Sequence, residues 1–366
     1  MKVLVLGRLN AESRSGLRLT RLGLCLLELL ILFCGTVLTT RSLALSKTIS
    51  VYTWWDYVPS EVIAKLKAKG FKVNIIEYRS NEVALSKLLS GKSDYDIAIV
   101  SNWVLRVLED ANKVEAKTLE SLIHKRKYLD FTTSFSESCV PYMWSTTAFA
   151  ADAKNLKEGP RSIKALLALQ SRSYTVGIVD DPIEFAARVV SDNREKCPNG
   201  DKEENIFDLI DRCPAEKLLD AHGELDRGLF RNTLEPILGP KSAIYGWHGV
   251  VGGQIGALPT FEFYLPKGNP VVGLDYVCVL KGRKDASLPS FVELLTDEES
   301  TNFNVAKTQY FSPFVVDTGN YSPKVRRLKE DLMARLKTEK PIVLSPPKSS
   351  THAKINKWWQ KIRYGK

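Results

Sequence analysis

Histidine is scarce in this chain of 366 residues. His124, His222, His248 and His352 are scattered, and no cysteine has a CxxC neighbour. Spacing therefore gives no support for a zinc site. Neither G-x-S-x-G nor H-E-x-x-H occurs, which removes the two commonest local signatures of a hydrolase. The glycine-rich stretch Gly249-Val-Val-Gly-Gly253 lacks the lysine of a phosphate-binding loop. Only one long apolar run is present, which excludes a polytopic membrane protein. Internal repeats and low-complexity blocks are absent too. With 44% hydrophobic and 26% charged residues, the composition is that of a globular chain rather than a coiled coil, a collagen or a disordered segment. At ~100–200 residues per domain, the length suits two domains.

The formal charge is +10 and is unevenly placed. Residues 1–46 hold six basic side chains (Lys2, Arg8, Arg14, Arg18, Arg21, Arg41) and two acidic ones (Glu12, Glu28), which leaves about +6 for the remainder. Spread over the rest of the chain, that excess is a poor footprint for nucleic acid. The same N-terminal stretch has a definite order: a basic region, the apolar run from Leu22 to Leu38, then Ala44-Leu45-Ser46. This is the order of a secretory signal peptide, assigned to 1–46. An anchor helix is the competing reading, but Glu28 interrupts a run of only seventeen residues. Phe33 before Cys34 argues against a lipoprotein signal. Cys25 and Cys34 would leave with the signal, and Cys139, Cys197, Cys213 and Cys278 remain. Four cysteines in an oxidising compartment allow three pairings, of which a local Cys197–Cys213 bridge is one.

From Thr48 onward the pattern alternates between strand and helix. Ile49–Trp55, Lys72–Tyr78 and Asp96–Val100 read as strands, and Pro59–Lys69 and Asn81–Leu89 as helices. Further strands are expected at Tyr174–Val179, Phe261–Tyr264 and Asp275–Leu280, with helices around Pro323–Thr338 and near Trp358 and Trp359. Such alternation calls for a parallel sheet with ligand bound beyond the carboxyl ends of its strands.

Two clusters stand at such ends. Trp54-Trp55-Asp56-Tyr57 combines aromatic faces with a carboxylate, which suits an organic cation. The same residues could instead be core packing, with Asp56 capping the next helix. Asp180-Asp181-Pro182-Ile183-Glu184 follows a strand. Asp181 as N-cap, Pro182 at N1 and Glu184 at N3 make a capping box, and the same acids could also hold a cation. Ser101, Trp103, Trp247, Asp275 and Tyr310 are further candidates, each open to a purely structural reading. His248 is the one histidine near a glycine-rich segment that could serve a nucleophile as base.

Taken in order, eight stretches resemble the spermidine/putrescine substrate-binding proteins of ABC importers: Val51–Pro59, Tyr78–Glu82, Tyr95–Ser101, Val140–Thr147, Asp180–Glu184, Ala243–Trp247, Leu265–Gly268 and Tyr310–Pro313. The resemblance implies the type II periplasmic binding fold, with two α/β lobes joined by crossing hinge strands. It divides the chain into 47–145 with 277–318, and 146–276 with 319–366. It implies a polyamine ligand, delivery to an inner-membrane permease, a periplasmic monomer, and no cofactor, catalytic residue or metal. The ligand positions it implies are Trp54, Asp56, Tyr57, Ser101, Trp103, Asp181, Glu184, Trp247, Asp275 and Tyr310. The chain departs from the pattern in having Gly273 where many members have a second tryptophan, and Ser145 in place of a common glycine. It also has no counterpart in 341–350 of a C-terminal glutamine.

Two other readings belong to different classes. Some thiamine-degrading and pyrimidine-forming enzymes resemble these binding proteins and use a cysteine nucleophile, for which Cys139 is the candidate; a Cys139–Cys278 bridge is the competing expectation. The second is a module that binds another organic cation and serves as a sensor. Ferric-iron binding, which uses adjacent tyrosines in this broad fold, is set aside because no Tyr-Tyr pair occurs.

Overall fold

A computed structural model describes residues 48–91, 94–133, 136–197, 206–213, 230–231, 239–255 and 258–364. The expected export signal, 1–46, lies outside the described residues. The chain begins with three βα units: β1 (Thr48–Trp54), α1 (Ser60–Ala68), β2 (Lys72–Tyr78), α2 (Asn81–Leu89), β3 (Ile97–Ser101) and α3 (Asn102–Asp110). Local chemistry sets these boundaries. Gly70, at φ 91°, takes the left-handed turn that follows α1. The Ser80 hydroxyl accepts from the N–H of Val83 and caps α2.

Next comes β4 (Val140–Asp152), thirteen residues long and buried at every position, as expected of a strand covered on both faces. It is followed by β5 (Thr175–Val179), α4 (Pro182–Asp192), α5 (Ile206–Arg212), β6 (Phe230–Arg231), β7 (Ser242–Trp247), α6 (His248–Ile255) and β8 (Phe261–Tyr264). The chain then returns through β9 (Val271–Val279) to α7 (Leu288–Leu295), α8 (Glu298–Thr308), α9 (Pro323–Arg335), β10 (Ile342–Val343) and α10 (Ser349–Tyr364). Trp358 and Trp359 of α10 are buried against Phe185 of α4, with ring centroids 5.5 Å apart in both pairs. That contact docks the last helix.

The strands form one sheet in the order β2-β1-β3-β9-β4-β7-β5-β6, with β10 beside β9 and β8 beside β4. The expected parallel pairing is found in the two wings, β2-β1-β3 and β7-β5-β6, and in the short pairing of β10 with β9. The centre of the sheet is antiparallel: β9 runs against β3 and β4, and β4 runs against β7 and β8. The reason is that β4 and β9 carry the chain from one wing to the other and pair directly, without a covering crossover helix between them. The register shifts between Pro141 and Met143, where proline has no N–H to give to the ladder. Because β9 starts at Val271 rather than Asp275, Asp275 is a mid-strand residue facing Ser101.

Two disulfides close the chain. Cys139, just before β4, bonds Cys278 of β9 across 139 residues, and Cys197 bonds Cys213 across 16. Cys139 therefore holds no thiol for a nucleophilic role. In the chain-entropy account the longer loop is stabilised by ~5 kcal/mol and the shorter by ~3 kcal/mol. Cys139→Ala/Cys278→Ala should accordingly lower the urea midpoint more than Cys197→Ala/Cys213→Ala. The reverse order would show that strand pairing, not the bridge, holds β4 to β9.

Candidate functional site

The carboxyl ends of the wing strands and the middle of the crossing strands open onto one cleft of about 250 Å³. All ten residues singled out from the sequence line it, although they come from six different elements and the turns after them. Across the sheet, Trp54, Asp56 and Tyr57 follow β1, and Ser101 and Trp103 stand at the β3–α3 junction. Asp275 comes from β9, Trp247 from the end of β7, and Asp181 and Glu184 from the start of α4.

The β1 side is built by a reversal of the chain. Asp56 has φ 55°, and its N–H donates to Glu77 Oε1 at 2.8 Å. Asp56 is not the cap of α1, whose N-cap is Pro59 with no side-chain bond. Its carboxylate accepts from Lys307 Nζ at 2.6 Å. Tyr57 is buried, and its hydroxyl donates to Asp275 Oδ2 at 2.6 Å. Its ring meets Tyr310 edge-on at 5.5 Å. Ser101, in register with Asp275, donates to Asn81 Oδ1 at 2.6 Å.

On the opposite side, Asp181 Oδ1 accepts from the N–H groups of Ile183 and Glu184 and caps α4 as expected. The reciprocal half of the capping box is replaced: the Glu184 carboxylate accepts instead from the indole Nε1 of Trp247. Trp247 meets Trp54 edge-on at 5.8 Å, so aromatic surface from both wings encloses the cleft.

Two glycines are required by close approach. A Cβ at Gly249 would come within 2.6 Å of the Tyr310 ring, so the glycine-rich stretch is a helix start packed under a phenol, not a phosphate cradle. A Cβ at Gly273 would stand 2.8 Å from Ser145 Oγ. The two departures from the family pattern are thus cross-strand partners, both on the cleft wall. Where a glutamine was absent from 341–350, Leu344 lines the cleft, and its carbonyl accepts from Asn102 Nδ2.

Among the described residues no salt bridge reaches Asp181, Glu184 or Asp275. Burial pushes Asp181 up to about 7, and the charge of Glu82 adds to the shift. It pushes Asp275 up to about 6 against the lowering effect of the Tyr57 hydrogen bond. Glu184 is held well above the usual carboxylate range by burial, then by Asp181. A cleft with buried acids, little compensation and ring walls is suited to a protonated amine with a carbon skeleton.

His248 is not a base for this site. It is fully buried: its Nδ1 faces the N–H of Thr146 at 3.2 Å and its Nε2 the carbonyl of Gln309 at 3.1 Å. Burial lowers its pKa to about 3, so it serves as a neutral tie between β4 and the segment after α8. No group of three or more His, Cys, Asp or Glu among the described residues is arranged to hold a metal ion. Sequence reasoning missed Lys307 and Leu344. Only the three-residue spacing of Lys307 from Tyr310 pointed its way.

Similarity to known proteins agrees with this architecture. No protein-family profile matches the chain. The fold is nevertheless that of the type II periplasmic binding proteins. The Tp0655 (TpPotD) lipoprotein of Treponema pallidum superposes with a TM-score of 0.65 at 15% identity, covering 87% of this chain and 100% of that one. Maltose-bound MalE3 of T. maritima gives a TM-score of 0.65 at 11% identity, covering 86% and 94%. Within that class, the resemblance to spermidine/putrescine-binding proteins read from the motifs holds. The putrescine-binding periplasmic protein SpuD of Pseudomonas aeruginosa is 34% identical over 145 residues. That match spans 37% of this chain and 39% of SpuD, about two-fifths of the relative's length.

The raised carboxylates fix a pH dependence. Asp181 and Asp275 hold protons more tightly when folded than at their ordinary value of 3.8. Their contribution to the stability of the ligand-free protein is therefore fully present below about pH 4. It is lost as pH rises to about 6 for Asp275 and about 7 for Asp181, by ~1.4 kcal/mol per pH unit for each group. His248, lowered from 6.5 to about 3, contributes the opposite slope below pH 6.5 and offsets part of the loss. Thermal unfolding without ligand should show a higher Tm at pH 5 than at pH 8, and Glu184→Gln should shrink the difference. A change in Tm between pH 5 and pH 8 that Glu184→Gln leaves unaltered would mean these acids are solvated.

Proposed function

We propose that the protein captures a small polyamine, putrescine or spermidine, and hands it to an ABC-transporter permease, and that it is not an enzyme. The observation carrying this reading is the set of three buried acids, Asp181, Glu184 and Asp275, which have no salt bridge among the described residues, in a cleft walled by Trp54, Tyr57, Trp247 and Tyr310. The acids neutralise ammonium groups as these leave water, and the rings cover the methylenes between them. The similarity to SpuD, a putrescine-binding periplasmic protein, supports the ligand class. Residues 47–145 with 277–318, and 146–276 with 319–366, act as two lobes that close over the amine, bending where β4 and β9 cross. Closure desolvates the ligand and offers the permease one closed shape. Residues 1–46 act as an export signal to the periplasm, where the protein works as a monomer.

Calorimetry and thermal shift with putrescine and spermidine, with maltose and glutamate as controls, test the proposal. Amine at 100 times its dissociation constant should stabilise the fold by ~2.7 kcal/mol. Asp275→Asn and Glu184→Gln should each weaken binding by at least ~2 kcal/mol, about thirtyfold. A shift with maltose and none with either amine would refute the assignment. Binding should also weaken from pH 8 to pH 5, because protons then compete with the amine for the same carboxylates. Affinity independent of pH across this range would place the amine away from the raised acids.

A further inference from the structure

The acids of the cleft form a row across the sheet. Asp56 follows β1, Asp275 lies on β9 two strands away, and Asp181 and Glu184 stand beyond β5, three strands further. Strands are spaced ~4.8 Å apart, so the row has an end station, a middle station and a second end station. The end station at Asp56 differs from the other two. Lys307 Nζ sits 2.6 Å from Asp56 Oδ1, and both residues line the cleft. The pair is assembled from both sides: the Asp56–Glu77 backbone bond fixes the turn at φ 55°, and the last turn of α8 brings in the lysine.

We propose that Lys307 is a built-in ammonium that fills the Asp56 station, so that the cleft selects a diamine over a triamine. The proposal rests on the polyamine reading above. A diamine needs two acid stations, and Asp275 and Asp181/Glu184 supply them. A triamine needs the third, where its ammonium meets a carboxylate already neutralised and a positive charge beside it. The Asp56–Lys307 pair is partly exposed, at 56% and 34% of side-chain surface, and as an isolated ion pair it is weak. Its strength lies in tethering: a lysine held by the fold competes at an effective concentration of about millimolar or above. A free amine at micromolar concentration does not displace it.

Titration calorimetry on the full protein with putrescine and with spermidine, on the unaltered chain and on Lys307→Ala and Lys307→Arg, reads the ratio of the two affinities. The unaltered protein should favour putrescine by about tenfold or more, and Lys307→Ala should move the ratio toward spermidine by a similar factor. Lys307→Arg, which keeps the cation, should retain the original ratio. Asp56→Ala should worsen spermidine binding further, because the lysine is then unpaired in the cleft. Equal or stronger spermidine binding by the unaltered protein overturns the proposal, and so does a ratio that Lys307→Ala leaves in place. If the unaltered protein binds neither amine, the polyamine reading fails and this inference falls with it.

Discussion

Carboxylates held out of water, with no cation beside them among the described residues, are the constraint around which the cleft is arranged. An isolated charge in an apolar interior is costly enough that it ordinarily takes up a proton or finds a partner. Among the described residues, the partners of Asp181, Glu184 and Asp275 are dipolar: two backbone N–H groups, an indole and a phenol. Those contacts orient the acids without neutralising them. The site is therefore poised toward protonation and toward any cation that fits. A core that tolerates it must be well stabilised elsewhere, which is the role of the buried strands β3, β4 and β9 and of the two disulfides.

The crossing strands explain why acids from both wings converge. A parallel βα unit presents its functional residues beyond the strand end, as β1, β3 and β5 do here. β9 instead passes through the level of the cleft in mid-strand, so that Asp275 is fixed by ladder pairing on both sides, to Ser101 and Met143. It is thus the most rigidly placed acid in the row, while Asp56 stands on an exposed turn. The difference suits a central anchor with adjustable ends.

Much of this was legible in the amino-acid sequence, and the divide between legible and illegible is physical. Strands β1, β2, β3 and β5 and helices α1, α2, α9 and α10 show in local periodicity and breakers, because their faces are decided by near neighbours. The antiparallel centre did not show, because which strand pairs with which is decided by contacts far apart in the chain. The same holds at the site. Asp181 announced itself as a cap, yet whether Glu184 would complete a capping box or turn to Trp247 depended on a residue 63 positions away. Trp54-Trp55-Asp56-Tyr57 could be read as a cation site or as core packing, and the lysine that pairs with Asp56 comes from 251 positions downstream. The run Gly249–Gly253 had no meaning until Tyr310 was seen resting on Gly249.

The disulfides are nested: Cys197–Cys213 lies wholly inside the span closed by Cys139–Cys278. Under the export proposed above, with residues 1–46 and their Cys25 and Cys34 removed, a chain threading amino end first would present Cys139 first, then Cys197, Cys213 and finally Cys278. Oxidation in order of arrival would join the first thiol to the second and the third to the fourth, and both bonds would be wrong. Correct maturation thus requires that the earliest thiol wait for the last, or that thiol–disulfide exchange rearrange a mistaken bond afterwards. On that proposal, the yield of the protein in its working form would be governed by the redox machinery of its compartment as well as by the stability of the finished fold.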